Sequence, residues 1–375
     1  MVHSGLEGVV AATTRLSHVD GERGELIIAG FPVGELAAHA TFEEATWLLW
    51  EGDLPSARQL ETFCAELAAA RALPPASIAL LRECARAGIE PMDALRIAAG
   101  TISLVSDDAA GIVARMPTIV STFWRLRRGL EPIAPRPDLG HAANFLYMLN
   151  GEPPAPERVR GLETYLNTVI DHGLNASTFT ARVITSTGSD LVSAVVGAIG
   201  ALKGPLHGGA PGPALDMVFD IGEASRAEAW LRQRIEAGEK LMGFGHRVYR
   251  VRDPRAAVLA AAAERMYTRA GDMSLYRLAC AVEATALRLL EEYKPGRRLQ
   301  TNVEFYTALL LHGLELDVPL FTPTFAISRV SGWIAHALEQ RKANRIIRPQ
   351  SAYEGPRDRR WVPLTDAVRG GVPAT

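Results

Sequence analysis

Residues 239–255 read EKLMGFGHRVYRVRDPR, and the meaning of this stretch decides how the rest of the chain is interpreted. His246 stands between the close-spaced Gly243 and Gly245 and a basic run, Arg247, Arg250, Arg252 and Arg255. Glycines let a backbone turn tightly and approach a ligand. An imidazole held by such a turn can give or take a proton near neutral pH. Arginines fork onto carboxylates and phosphates in bidentate geometry. The stretch therefore reads as a site for an anionic substrate with a histidine acid or base. A solvated basic loop is the competing meaning of clustered arginines.

Composition narrows the classes. A chain of 375 residues has room for two domains, and 48% hydrophobic with 22% charged residues is an ordinary globular balance. The net charge of −2 argues against a nucleic-acid binder, so any anion site is a local concentration of arginine. Cys64, Cys84 and Cys280 are too scattered for a disulfide framework or a zinc site, which suits a reducing cytoplasm. The longest apolar run, Leu191 to Leu202, has the length of a buried helix rather than of a membrane span. The N-terminus lacks the basic-then-apolar layout of a signal peptide, so a cytoplasmic location and no membrane partner are expected.

Residues 5–33 alternate β-branched and polar positions around Asp20-Gly21 and Arg23-Gly24, a pattern of short strands. Everything after Val33 reads as helix. Thr41 with Glu44, and Ser56, mark helix starts; Gly52, Pro55, Pro74 and Gly88 mark ends. A helix is predicted to begin at Thr118, and a pair of close-packed helices rich in Ala and Gly between Arg158 and Leu202. From residue 212 to about 316 the helices become more charged and plainly amphipathic, which suggests a smaller helical domain inserted in a larger one. Residues 318–349 return to an apolar helix, and the stretch after Ser351 is aperiodic, either disordered or laid across a partner subunit.

Two further histidines have distinctive surroundings. His172 lies in DHGLNASTF, and His207 in KGPLHGGAPG, where Pro205, Gly208 and Gly209 imply a tight turn opening a helix. A histidine at a helix N-terminus is kept neutral by the dipole and can polarise a carbonyl as a donor. Capping alone would be the simpler role for His207 in isolation. His312 and His336 read as packing or surface residues. Glu304, in TNVEFYTALL, is flanked by apolar and aromatic residues that would raise its pKa, which suits a general base as well as it suits a plain helix-start acid. HGG is also part of an esterase oxyanion motif, but the G-x-S-x-G elbow and the strand-rich sheet are missing. No phosphate-binding glycine loop and no metal-spaced histidine pair occur, so no metal is expected.

GFGH-x-V-x-R-x-x-DPR, completed by Asp253, Pro254 and Arg255, resembles the signature of the citrate synthase family. The resemblance extends from GLEGVVAATTRLSHVDG at the N-terminus to RVSGWIAHALEQ and IIRPQ near the C-terminus. It implies a mainly α, two-domain fold with short N-terminal strands: a large domain of residues 1–211 and 317–375, a small domain of 212–316, and a homodimer. It implies condensation of acetyl-CoA with oxaloacetate and hydrolysis of the citryl thioester, with no cofactor beyond the CoA substrate. By motif, His207 would polarise the acetyl-CoA carbonyl, His246 would act as acid on oxaloacetate, and Glu304 would take the methyl proton. His172, Arg255, Arg329 and Arg348 would hold oxaloacetate, Arg348 from the other subunit. CoA would lie along Glu239, Lys240, Leu241, Met242 and Gly243, with Arg250 near its phosphates. Most members carry Asp where this chain has Glu304, and the match is closest to a bacterial branch with Glu. A 2-methylcitrate synthase using propionyl-CoA, or a silent ligand-binding relative, would carry the same motifs.

Overall fold

The structure is a computed structural model that describes residues 4–208, 211–246 and 248–361. Arg247, Gly209 and the tail from residue 362 lie outside the described residues. Contacts divide the chain into two units, Met1–Thr13 with Ile347–Thr375, and Thr14–Ile346. In the larger unit the expected strands form a three-stranded antiparallel sheet, β1 (Ser17–Asp20), β2 (Glu25–Ile28) and β3 (Phe31–Pro32), with Ser17 opposite Ile28 and Asp20 opposite Glu25. Asp20 makes the β1–β2 turn, its Oδ1 accepting from the amides of Glu22 (3.0 Å) and Arg23 (2.9 Å).

All else is helix and connection. α1 (Val33–His39), α2 (Phe42–Glu51), α3 (Ala57–Ala70) and α4 (Pro75–Arg86) come first; α2 and α3 start with the capping boxes Thr41–Glu44 and Ser56–Gln59. α5 (Pro91–Ala99) precedes α6 (Ala109–Arg127) and α7 (His141–Asn150). α6 does not begin at Thr118. It begins nine residues earlier, at Ala109, where the cap Asp108 accepts from the Gly111 amide, and it continues through Pro117. Burial of nearly every residue from Ala110 to Phe123 explains this, because packing outweighs the roughly 3 kcal/mol that an interior proline costs.

The region from Arg158 to Leu202 holds three helices rather than two: α8 (Pro156–Val169), α9 (Ala176–Ser186) and α10 (Leu191–Leu202). The break is the loop Ile170–Asn175, which carries His172, and Asn175 restarts the chain as the cap of α9. α11 (Pro211–Ile221), α12 (Ala227–Glu236), α13 (Pro254–Ala270), α14 (Ser274–Tyr293), α15 (Val303–Gly313) and α16 (Phe321–Lys342) complete the order. α16 ends at Lys342, short of residue 349, and Ser351 to Trp361 holds no helix or strand. α16 is the central helix, buried on almost every side from Phe321 to Ala337. Its Gly332 lets the end of α8 lie against it, since a Cβ there would stand 2.3 Å from the Ile170 carbonyl oxygen. That approach brings Asp171 and His172 over the middle of the central helix.

Candidate active site

Two short backbone pairings fix the signature loop. The amide of Gly245 donates to the Gln300 carbonyl (2.7 Å) and that of Asn302 to the Gly243 carbonyl (3.0 Å), so residues 243–245 lie antiparallel to 300–302. Gly243 has φ +85° and lies so close to α15 that a Cβ would meet Phe305 Cβ at 3.0 Å; both facts demand glycine. Asn302 caps α15 through the Glu304 amide (3.0 Å) and donates from Nδ2 to the Gly245 carbonyl (2.9 Å). His246 and Glu304 are thereby brought to one place from 58 residues apart in sequence.

The ring of His246 has a defined tautomer. Its Nδ1 accepts from the amides of Val248 (3.0 Å) and Tyr249 (3.1 Å), which can only donate, so the proton sits on Nε2. Nε2 lies 3.4 Å from Arg255 Nη2. Both are donors, so neither satisfies the other, and they converge on a point where an acceptor is required. Arg255 is itself held rigidly. The buried carboxylate of Asp253, which caps α13, takes Nε (3.0 Å) and Nη2 (2.8 Å). Burial works against the Arg255 charge, but Asp253 raises its pKa above the ordinary value.

The second loop faces this pair. His172 Nε2 lies 3.1 Å from the Tyr249 hydroxyl, and its ring centroid is 6.0 Å from that of His246. Asp171 behind it is fully buried, paired with His336 at 3.2 Å and accepting from the Ser17 hydroxyl. Burial alone would raise its carboxyl, but His336, Arg329 and Ser17 hold it below the usual range. Arg329 of α16 is 1% exposed; its Nε donates to the Val169 carbonyl (2.7 Å), and among the described residues no carboxylate pairs with it. Burial lowers its pKa to about 10, which leaves it charged at neutral pH.

His207 approaches from a third side, in the turn before α11. Its Nε2 is 2.8 Å from the Ser177 hydroxyl and 3.4 Å from the Ser177 amide. The amide can only donate, so Nε2 is the acceptor and Nδ1 carries the proton. Ser177 is steadied by Asn175 Oδ1 (2.8 Å) and by Trp333 Nε1 (3.0 Å) of the central helix. Burial, with Arg329 second, lowers the His207 pKa to about 4; burial, with Arg255 second, does the same for His246. His172 lies well below its ordinary value through burial and then the two arginines. The dipole expected for His207 is thus not the main cause. Glu304 is pushed up by burial, opposed by Arg255 and assisted by Asp253.

His172, His207, His246, Arg255, Glu304 and Arg329 are all in one unit, linked by these contacts and mutual charges. Of the residues expected along CoA, Glu239 and Lys240 are exposed, with Glu239 paired to Arg234 (2.6 Å), while Leu241 and Gly243 are buried and Met242 half-buried. Arg250 is exposed, and its amide donates to the Gly21 carbonyl (2.9 Å). Arg348 is exposed and belongs to the terminal unit. Sequence reading passed over Asp253 as a partner, Tyr249, Ser177, Trp333 and His336. Asp253 was legible as a helix cap two residues before Arg255, but nothing local pairs His336 with Asp171, 165 positions away.

The lowered histidine values have a consequence for folding. His207 and His246 bind a proton near the ordinary value of 6.5 when unfolded and only near 4 when folded. Between those values the unfolded chain binds more protons, so stability is present above pH 6.5 and is lost as pH falls toward 4. Urea midpoints measured from pH 7.5 to 4 should show this fall. A His207→Asn, His246→Asn variant should have a shallower fall in that window; an unchanged difference from wild type across it would contradict the assigned values.

The family model described as citrate synthase, C-terminal domain, matches residues 5–350. Citrate synthase 2 of Bacillus subtilis is 41% identical, over 96% of this chain and 98% of its own. A 2-methylcitrate synthase of Mycobacterium tuberculosis is also 41% identical, over 94% and 91%. Among solved structures, citrate synthase from Pyrobaculum aerophilum has a TM-score of 0.88 at 40% identity, covering 97% of this chain and 95% of that one. The ternary complex of carboxymethyl coenzyme A and oxaloacetate with citrate synthase from Thermoplasma acidophilum has a TM-score of 0.88 at 29% identity, covering 98% and 100%. With its fold, signature loop and near full-length relatives in agreement, the chain belongs to the citrate synthase family.

Proposed function

We propose that the protein is a citrate synthase that condenses acetyl-CoA with oxaloacetate and hydrolyses the resulting citryl-CoA to citrate and CoA. The observation that carries this reading is the pair of convergent donors, His246 Nε2 and Arg255 Nη2, beside a buried Arg329 that no carboxylate pairs with among the described residues. A dianion with a central carbonyl matches that arrangement: Arg255 and Arg329 take carboxylates, and His246, with His172, donates to oxygen. Glu304, made more basic by burial, takes a proton from the acetyl methyl group. His207 donates from Nδ1 to the thioester oxygen as the enolate forms. The enolate carbon attacks the oxaloacetate carbonyl while His246 protonates its oxygen, and water then cleaves the thioester. No cofactor is required beyond CoA, which we place along Glu239–Gly243 with Arg250 at its phosphates. Movement of residues 212–316 against the rest, as two domains, would shut water out during enolate formation. No single helix among the described residues is long and apolar enough to cross a membrane, and with three free cysteines we assign the protein to the cytoplasm.

The acyl group is the finer question, because the relatives include a 2-methylcitrate synthase. Thiol release with oxaloacetate and a panel of acyl-CoAs answers it, with acetyl-CoA expected to give the highest kcat/KM and a propionyl-CoA preference favouring the other enzyme. Glu304→Gln should abolish release while oxaloacetate still binds; retained activity would remove Glu304 as the base. Glu304→Asp should lower the rate if the site is fitted to Glu and raise it if it is not.

Arg329→Leu should weaken oxaloacetate binding by about 2–5 kcal/mol, the scale for truncating one side of a buried charge pair. It is a cleaner test than Arg255→Leu, which also strands the buried Asp253 carboxylate. An unchanged oxaloacetate Kd by calorimetry would take Arg329 out of the site.

The terminal unit exposes Val10 (86%), Tyr353 (61%) and Trp361 (88%) together with Arg348, and we assign this surface to a second copy of the chain, with Arg348 completing the partner's site. Sedimentation equilibrium should show a homodimer at assay concentrations. A fully active monomer would overturn this assignment.

A further inference from the structure

Away from the histidines, α8 and α13 pack side by side and enclose a cleft of about 270 Å³. The N-terminal part of α8, from Pro156 to Thr164, forms one wall, and the C-terminal half of α13 forms the other. Arg265 and Arg269 are four apart and therefore share one face of α13. Both are exposed, both line the cleft, and among the described residues neither has an ion-pair or hydrogen-bond partner. Arg160 enters from α8, its guanidinium anchored by the carbonyls of Ala37 (2.6 Å) and Ala40 (2.9 Å) and by Glu163 (3.1 Å). The charges of Arg160 and Arg265 repel one another. Glu163 offsets this at Arg160, which it pairs with, but it does not line the cleft, and burial pushes its own pKa up to about 7. Among the described residues Glu157 is the only carboxylate lining the cleft, so the described lining carries three positive charges against one negative. The floor is apolar, formed by the buried Gly161, Ala262 and Met266.

Unpaired like charges at this spacing destabilise a helix, and arginine forks match phosphate oxygens bidentately. The N-terminus of α8 adds its positive end to the same wall. An apolar floor beside such a rim suits an organic body attached to the phosphate. We propose that this cleft is a second ligand site, which takes a small phosphorylated organic anion with its phosphates on Arg265 and Arg269 and its less polar part on Ala262 and Met266.

The site is also placed to be felt at the histidines. α13 begins at Pro254, beside Asp253 and Arg255, and Arg265 and Arg269 lie about 15–21 Å farther along it at 1.5 Å per residue. α8 ends at Val169, whose carbonyl holds Arg329, and leads into Asp171 and His172. A ligand bridging the far ends of both helices biases the relative position of Arg255 and Arg329. Resting on the function proposed above, this makes the anion a modulator of the oxaloacetate KM.

The test is calorimetric titration of the full chain with ADP at fixed ionic strength, with saturating CoA present to occupy any site for the ADP portion of CoA. Saturable binding is expected, weakened at least tenfold in Arg265→Gln, Arg269→Gln, whose thermal midpoint and basal turnover should match wild type. Inorganic pyrophosphate should bind more weakly than ADP; equal binding would overturn the role of the apolar floor. Absence of saturable ADP binding, or equal binding by the double variant, would overturn the site. Binding is read without turnover, so its failure is distinct from failure of the citrate synthase reading. ADP binding with no change in the oxaloacetate KM would remove the coupling alone.

Discussion

Everything at the centre of this protein depends on two buried guanidinium groups, of which, among the described residues, only one is paired with a carboxylate. Arg255 is neutralised by Asp253, but Arg329 is buried in the central helix with a carbonyl as its hydrogen-bond partner. Burying a charge without a paired carboxylate is expensive, and here burial lowers its pKa to about 10, opposed by the field of Asp171, without loss of the proton. The fold tolerates this because α16 is clamped on nearly all sides and cannot turn the side chain out to water. The cost is offset when an anion arrives. Such a site favours a dianionic ligand before any particular contact is considered, and it keeps three neighbouring histidines neutral.

Neutrality then sets what each ring can do. An imidazolium would donate from both nitrogens, but a neutral ring donates from only one, and its surroundings decide which. Backbone amides occupy Nδ1 of His246 and leave Nε2–H aimed beside Arg255. At His207 the Ser177 amide occupies Nε2 and leaves Nδ1–H. Two rings of the same type are thus poised with opposite nitrogens as donors. In the proposed reaction one would serve the electrophilic carbonyl and the other the forming enolate, without competition for a single proton.

Most of this was legible in the sequence wherever the information is local. Glycines at 243 and 245 announced a turn, and the structure adds the reason, a left-handed backbone pressed on Phe305. The capping box at Thr41 and the helix start at Ser56 were visible for the same reason, since each cap is complete within four residues. Information that depends on distant partners was not visible. The proline inside α6 misplaced its start, because only burial shows that packing prevails there. His336 read as packing because Asp171, its partner, is on another loop. The N-terminal hairpin was recognised as strands but given no task. Its Ser17 hydroxyl in fact holds Asp171, and its Gly21 lies against Val248, where a Cβ would stand 2.2 Å from the carbonyl oxygen. One small sheet therefore braces both the His172 loop and the His246 loop.

That bracing bears on the extra methylene of Glu304. Adjustment of the surrounding helix is one way for a longer carboxylate to reach the same proton. The start of α15 has little freedom to adjust, however. Asn302 caps it through the Glu304 amide and also donates to the Gly245 carbonyl, the strand-like pairing fixes residues 300–302, and Phe305 is wedged against Gly243. Any shift of the helix start would carry His246 with it through those bonds. The proposed base and acid would move together, and the separation that the proposed chemistry requires would be preserved. The additional length of roughly 1 Å must therefore be taken up in the torsions of Glu304 itself or in the seat of the acyl group. Misplacement on that scale is worth on the order of 10²-fold in rate. Under the proposed reaction, the difference between Asp and Glu at this position is thus a matter of how the thioester sits against the loop, not of how the backbone is built.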